Sequence, residues 1–237
     1  LALGPAIIPS SVWGQAETAP SARINLGVIG VGGRGFNLML EFARESDVQI
    51  TAICDVDREH YRDRGWGEGR ANGREAAKEA LTQVYSRRHA APAIKTCTDY
   101  RELCGDETLD AVVVATPDHW HALCTLEELR NGKDVYCEKP VTHWFREGQL
   151  VCKEVAARGA VLQTGSQQRS DRLFRHAVAL VRNGHLGTVK HIEVGLEAGY
   201  PAPKGDTEVV APPEGLYYEF WCGPAPKLRY MRSRHHR

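Results

Sequence analysis

The residues of this chain best suited to chemistry begin with Gly27-Val-Ile-Gly30-Val-Gly32-Gly33-Arg34-Gly35. Gly30, Gly32 and Gly35 have the G-x-G-x-x-G spacing, directly behind the apolar run Ile24 to Ile29. In that spacing the first glycine permits a tight turn, the second lets the backbone approach a pyrophosphate, and the third lets the next helix pack on the strand. Gly33 and Arg34 lie on the same turn, at the N-terminus of a helix whose free N–H groups and positive dipole end favour phosphate. Asp55 follows Gly35 by 20 residues, at the end of a second apolar run, where a carboxylate can hold ribose hydroxyls. Together these residues predict a dinucleotide site. Asp55 repels a 2′-phosphate and so favours NAD, while Arg34 and Arg58 stand where they can soften that preference and leave NADP open.

Two further constellations end apolar runs. Ala115-Thr116-Pro117-Asp118-His119-Trp120-His121 follows Ala111 to Val114, and Asp118 is placed to cap the helix that begins there. His121 lies one turn into that helix and is expected to reach a ribose or substrate hydroxyl, His119 less so. Cys137-Glu138-Lys139-Pro140 ends the next apolar run. Pro140 restricts the backbone before it, so the Lys139 amine is expected over the crevice, partly desolvated and suited to proton transfer with a hydroxyl. The plainer role for Lys139 is a surface pair with Glu138.

The elements that must position these residues follow from the hydrophobic pattern. Strands are expected at Ile24–Ile29, Val48–Cys54, Asp110–Thr116, Asp134–Cys137 and from Val161 to Gln163. Helices are expected at Phe36–Ala43, Glu75–Tyr85, His119–Asn131 and Glu147–Arg158, with Gly132 and Gly159 closing the last two. Residues Asp57 to Gly73 look like a charged loop or a frayed helix. Strand–helix alternation of this kind predicts an α/β fold built on a doubly wound parallel sheet of Rossmann type. Past residue 162 come a helix at Phe174–Arg182, a half-buried strand at Thr188–Leu196 and a Pro- and Gly-rich stretch from Gly199 to Pro226. Too few elements remain for a domain, so three regions are expected: a leader at 1–21, a dinucleotide-binding domain at 22–162, and the beginning of an incomplete second domain at 163–237.

Composition sets the outer bounds. The 237 residues carry 30 basic and 30 acidic side chains, a net charge of +0 that argues against a nucleic-acid partner. No apolar run approaches the roughly 18–20 residues of a membrane span. Cys54, Cys97, Cys104, Cys124, Cys137, Cys152 and Cys222 form no C-x-x-C pair and mostly sit in apolar runs, so neither a metal site nor a disulfide framework is expected. The leader is apolar and ends near the small residues Gly14 and Ala16, which fits the tail of an export signal and favours an exported location over a cytoplasmic one.

In order and spacing, the glycine turn with Asp55, the Thr-Pro-Asp-His-Trp-His segment and Glu-Lys-Pro resemble the Gfo/Idh/MocA oxidoreductases, relatives of glucose–fructose oxidoreductase and inositol dehydrogenase. Gln163-Thr-Gly-Ser-Gln-Gln-Arg169, Arg182-Asn-Gly-His-Leu-Gly-Thr-Val189 and Trp221-Cys-Gly-Pro-Ala-Pro226 extend the likeness. The resemblance implies a Rossmann domain followed by an α/β domain whose open, mostly antiparallel sheet forms the substrate wall and the contact of a homo-oligomer. It implies that Lys139 is the active-site lysine, that Thr116, Pro117 and His121 line the nicotinamide side, and that Gln167 and Arg169 lie near the substrate. It implies a hydride transfer between NAD(P) and a sugar, polyol or related secondary alcohol. Two other functions stay open, an NAD-retaining glycosidase or lyase and a non-catalytic dinucleotide-binding piece. The apolar leader is similar to the twin-arginine signals of many bacterial members, without the arginine pair. The family's Asp/His-bearing helix falls beyond Arg237, so the chain alone is expected to be inactive.

Overall fold

In the computed structural model, residues 20–62, 69–87, 92–196 and 207–235 are described. The expected leader, apart from its last two residues, lies outside them. In chain order the strands are β1 (Ile24–Ile29), β2 (Val48–Cys54), β3 (His60–Arg62), β4 (Arg70–Asn72), β5 (Lys95–Cys97), β6 (Ala111–Val114), β7 (Asp134–Glu138) and β8 (Leu162–Gly165). The helices are α1 (Gly33–Phe42), α2 (Arg74–Ser86), α3 (Arg101–Cys104), α4 (Asp118–Arg130), α5 (Phe145–Arg158), α6 (Arg172–Arg182), α7 (Tyr218–Cys222) and α8 (Arg232–His235).

Six strands form one parallel sheet in the order β5-β2-β1-β6-β7-β8. Counted along the sheet's own strands this is the Rossmann order 3-2-1-4-5-6, whose direction reverses between β1 and β6. The alternation of each strand explains why both faces are covered. Val28, Ile50, Ile53 and Val113 point into an apolar cluster with α1 and α2. Ile29, Ala52, Val112 and Val114 point into a second cluster with α3, α4 and α5. Val112, Val113 and Val114 are wholly buried, which suits a continuous β-branched run in a parallel sheet. Each such side chain contributes about 1.5–3 kcal/mol through burial.

The structure departs from the sequence expectations in several places. Part of the charged region Asp57–Gly73 pairs as the antiparallel β3–β4, with residues 63–68 outside the description. α4 starts one residue earlier than expected: its N-cap is Pro117, and Asp118 sits in the first turn beside the helix dipole rather than capping it. α6 starts at Arg172 because the Asp171 carboxylate accepts the N–H groups of Leu173 and Phe174, at 2.8 and 3.2 Å. β8 runs to Gly165, past the expected boundary at 162. The strand expected at Thr188–Leu196 does not form: its backbone pairs with no strand among the described residues, and Ile192, Val194 and Leu196 are exposed. A strand without a neighbour leaves its N–H and C=O groups unpaired, and its alternation alone cannot hold it. Among the described residues no strand follows β8, and none shows the open antiparallel sheet expected of the second domain.

Candidate active site

The C-terminal ends of β1, β2 and β6 open onto a cavity of about 280 Å³ at the switch point of the sheet. Gly30, Gly32, Gly33, Arg34, Asp55, Thr116 and Pro117 line it. Gly35 lies below the turn, where a Cβ would come within 1.8 Å of the Gly30 carbonyl oxygen. Gly30 has φ +84°, and a Cβ there would meet the Ala115 backbone at 2.8 Å. Both glycines are therefore fixed by the fold itself. Gly32 differs: a Cβ on it would have nothing within 4 Å, so it faces open cavity at the N-cap of α1, and no side chain caps that helix. A bare helix N-terminus beneath a cradle that a methyl group would fill fits a phosphate ligand.

Asp55 stands at the end of β2 and ties the turn together. Its Oδ2 accepts the Val31 N–H at 2.7 Å and its Oδ1 accepts the Asp57 N–H at 2.9 Å. Burial pushes its carboxyl up from the usual range, and these two amides pull it back toward the ionised form. Each oxygen keeps a further lone pair for a ribose hydroxyl. Thr116 Oγ1 is buried with no hydrogen-bond partner among the described residues, an orphaned polar atom on the cavity wall where a ligand group would satisfy it. The turn, the Asp55 carboxylate and the orphaned hydroxyl together fit a dinucleotide.

Lys139 follows β7, and its peptide bond to Pro140 is cis. Its side chain is exposed rather than partly desolvated, because no described element packs over it. Nor does it pair with Glu138. Glu138 is 5% exposed and receives Arg34 Nε at 2.9 Å, and it is the Lys139 backbone N–H, at 3.3 Å, that donates to its other carboxylate oxygen. Arg34 is thus tied to Glu138 through Nε while it also lines the cavity.

His121 is where the structure corrects the sequence most. It was expected to reach a ribose or substrate hydroxyl, yet it is 1% exposed. Its Nδ1 lies 2.6 Å from the Pro140 carbonyl oxygen and its Nε2 lies 2.8 Å from that of Thr116. One ring spans the two loops that end β6 and β7. It therefore lies between the Thr116 and Pro140 carbonyls, and a neutral ring donates to one of them at a time. Gln167 and Arg169 form an exposed turn after β8, and Arg169 lines a groove along α6, apart from the cavity.

Sequence reasoning gave no role to the aromatic side of the cavity, formed by Tyr100, Trp120, Phe220 and Trp221. The available signal was Trp221-Cys-Gly-Pro-Ala-Pro226, a motif noticed without a partner. His119 also has a place: its Nε2 lies 2.9 Å from the Trp221 carbonyl oxygen. Among the described residues no group of His, Cys, Asp and Glu is arranged to hold a metal ion, and no helix is long and apolar enough to cross a membrane.

The family model described as an oxidoreductase family with an NAD-binding Rossmann fold matches residues 24–166. This is more than half of the chain, and the chain belongs to that family, the Gfo/Idh/MocA oxidoreductases. A protein named Glycosyl hydrolase family 109 protein 1, from Shewanella sp. (strain MR-4), is 26% identical over 174 residues, covering 72% of this chain and 34% of the relative. An Alpha-N-acetylgalactosaminidase from Shewanella oneidensis is 28% identical over the same length and coverage. Among solved structures, a myo-inositol 2-dehydrogenase from Lactobacillus plantarum superposes with a TM-score of 0.57 at 22% identity, over 70% of this chain and 43% of its own. A scyllo-inositol dehydrogenase from Lactobacillus casei, with bound NAD(H) and scyllo-inositol, gives 0.55 at 20% identity, over 70% and 42%. The chain thus spans about a third of these curated relatives and about two fifths of these solved structures.

Proposed function

We propose that the protein is an NAD-dependent oxidoreductase that oxidises a secondary alcohol of a sugar or polyol. The observation that carries this is the glycine turn, Asp55 and the Thr116 hydroxyl around one cavity, with Lys139 following β7 on the same sheet edge and His121 between the β6 and β7 loops. Bound in this cleft, NAD supplies the acceptor for hydride from the carbinol carbon. The chain's own part is to hold the phosphates on the α1 N-terminus, to hold the ribose at Asp55, and to take the hydroxyl proton on the Lys139 amine. The inositol dehydrogenases among the solved neighbours support a polyol, and the family's cofactor supports NAD. A second unit, beginning near residue 163, would complete the substrate side.

A second reading has support of its own: the relatives with glycosidase names match over 72% of the chain. In that case the same residues serve a transient oxidation, and no NADH accumulates. One experiment separates the two. The full-length protein is incubated with NAD and either myo-inositol or nitrophenyl glycosides, following NADH absorbance and nitrophenol release together. NADH with the polyol supports the dehydrogenase, and nitrophenol without NADH supports the glycosidase. Lys139→Ala should abolish whichever turnover is seen while leaving NADH binding intact; unchanged turnover would overturn the lysine's role.

A further inference from the structure

The wall of the cavity that faces Asp55 does not come from the parallel sheet. It comes from α7, some fifty residues past β8, through Phe220 and Trp221. Backbone bonds tie this short helix to the end of β2: the Tyr217 N–H donates to the Val56 carbonyl at 2.9 Å, the Arg58 N–H donates to the Gly215 carbonyl at 2.9 Å, and Asp57 and Leu216 form an antiparallel bridge. The first turn of α4 holds it from the other side. Trp120 Nε1 donates to the Phe220 carbonyl at 3.0 Å, and His119 grips the Trp221 carbonyl. Gly223 ends α7 at φ +56°, where a Cβ would press into the Trp120 indole at 2.4 Å. The rings agree with the backbone: Trp120 and Phe220 stack with centroids 5.0 Å apart, and Tyr217 stacks on Phe220 at 5.6 Å.

The cavity lining brings three kinds of chemistry together. The glycine turn offers amides for phosphate, Asp55 offers a carboxylate for hydroxyls, and Tyr100, Trp120, Phe220 and Trp221 offer aromatic surface. Those are the three parts of a nucleotide: phosphate, sugar and base. A purine is flat, apolar on its faces and suited to an aromatic wall.

We propose that α7 is the base-binding wall of the dinucleotide site, with Phe220 and Trp221 packing against the adenine, so that the segment 208–235 sets affinity for the adenosine half and leaves the nicotinamide half alone. This rests on the dinucleotide reading above and adds the residues that hold the base.

The test is calorimetric binding of AMP, nicotinamide mononucleotide and NADH to the full chain and its variants. Phe220→Ala combined with Trp221→Ala should weaken AMP and NADH together by about ten-fold or more, the loss expected when a base gives up its aromatic partner. Nicotinamide mononucleotide should bind as it does to the parent. Because both rings sit in a packed cluster, Phe220→Leu is measured beside the double variant; it keeps apolar volume, loses the ring face, and should weaken AMP several-fold with an unchanged melting temperature. Trp120→Phe, which keeps a ring on Phe220 but deletes the bond to its carbonyl, should weaken AMP in the same direction. A folded Phe220→Leu variant that binds AMP as tightly as the parent overturns the wall, as does equal weakening of all three ligands. A parent protein that binds neither AMP nor NADH overturns the dinucleotide reading instead.

Discussion

Arg34 Nε lies 2.9 Å from Glu138 Oε1, joining the first turn of α1 to the end of β7 across 104 positions of the chain. Gly165 backs the pair from β8, since a Cβ there would come within 2.7 Å of the Glu138 carboxyl. Glu138→Gln should destabilise the fold by about 1–2 kcal/mol, at the lower end for a broken ion pair because the Arg34 side chain keeps 21% of its surface in water. Gly165→Ala should cost a similar amount by pushing the carboxyl off the arginine, and combined with Glu138→Gln the two effects should fall short of their sum. Urea unfolding of the four proteins checks this.

Gly32 and Gly35 should separate binding from folding. Gly35→Ala drives a methyl group into the Gly30 carbonyl and should cost about 3 kcal/mol or more, with loss of NADH binding as a by-product. Gly32→Ala meets no protein atom and should melt within a degree or two of the parent, about the resolution of the method. Its NADH affinity should nonetheless fall by about ten-fold or more, because the methyl occupies the phosphate's place. A Gly32→Ala protein with parental NADH affinity would remove the glycine turn from the site.

His121→Ala removes the ring that lies between the Thr116 and Pro140 carbonyls. The loops on either side of it follow β6 and β7, on the side proposed for the nicotinamide, while Asp55 is held by other bonds. NADH binding should therefore weaken by about ten-fold while ADP-ribose, which lacks the nicotinamide, binds unchanged. In the active protein kcat should fall more than KM rises. His121→Asn can reach at most one carbonyl and should recover only part of the loss. Equal loss for NADH and ADP-ribose would mean a general collapse of the fold.

Glu128 gives the fold a pH dependence. It lies wholly buried on α4, where burial pushes its carboxyl up to about 7 against the Cys104 thiol at 3.2 Å, which pulls it down. Its value in the folded chain thus stands above the ordinary 4.5. The neutral acid is the form the core accepts, so the stability is fully present below about pH 4.5 and is lost as pH rises through about 7. By linkage the loss is about 3 kcal/mol at most. Glu128→Gln, neutral at every pH, should be of similar stability at pH 5 and more stable than the parent at pH 8. Urea midpoints at those two values decide it; a constant difference between the proteins would place the pH dependence elsewhere.

What the sequence disclosed depended on how local the cause was. β1 and β2 are read from their apolar runs with the ends they have in the structure, because each run stops abruptly, at the glycine turn and at Asp55. The glycine turn and Asp55 are equally local in cause: one turn, one strand end. β5 and α3, of three and four residues, are too short to show a period and exist because β2 and α4 need cover. α7 was hidden in a Pro- and Gly-rich stretch, since what makes it a helix is the grip of His119 and Trp120 a hundred residues earlier. For His121 the residue type was informative and the direction was not. Spacing put the ring at a sheet edge, but only the folded loops show it buried between the Thr116 and Pro140 carbonyls.

The place of β1 in the sheet also has a consequence for how the chain reaches its fold. Among the described residues β1 is the first strand in chain order, and it shares the centre of the sheet with β6. One flank pairs with β2 nearby, while the other pairs Leu26 with Ala111, 85 positions later. A growing chain therefore carries β1 with a bare hydrogen-bonding flank until Ala111–Val114 emerges, and closing so long a loop is slow. During that interval an apolar central strand is open to the wrong neighbour, so refolding yield should depend on concentration well before stability does.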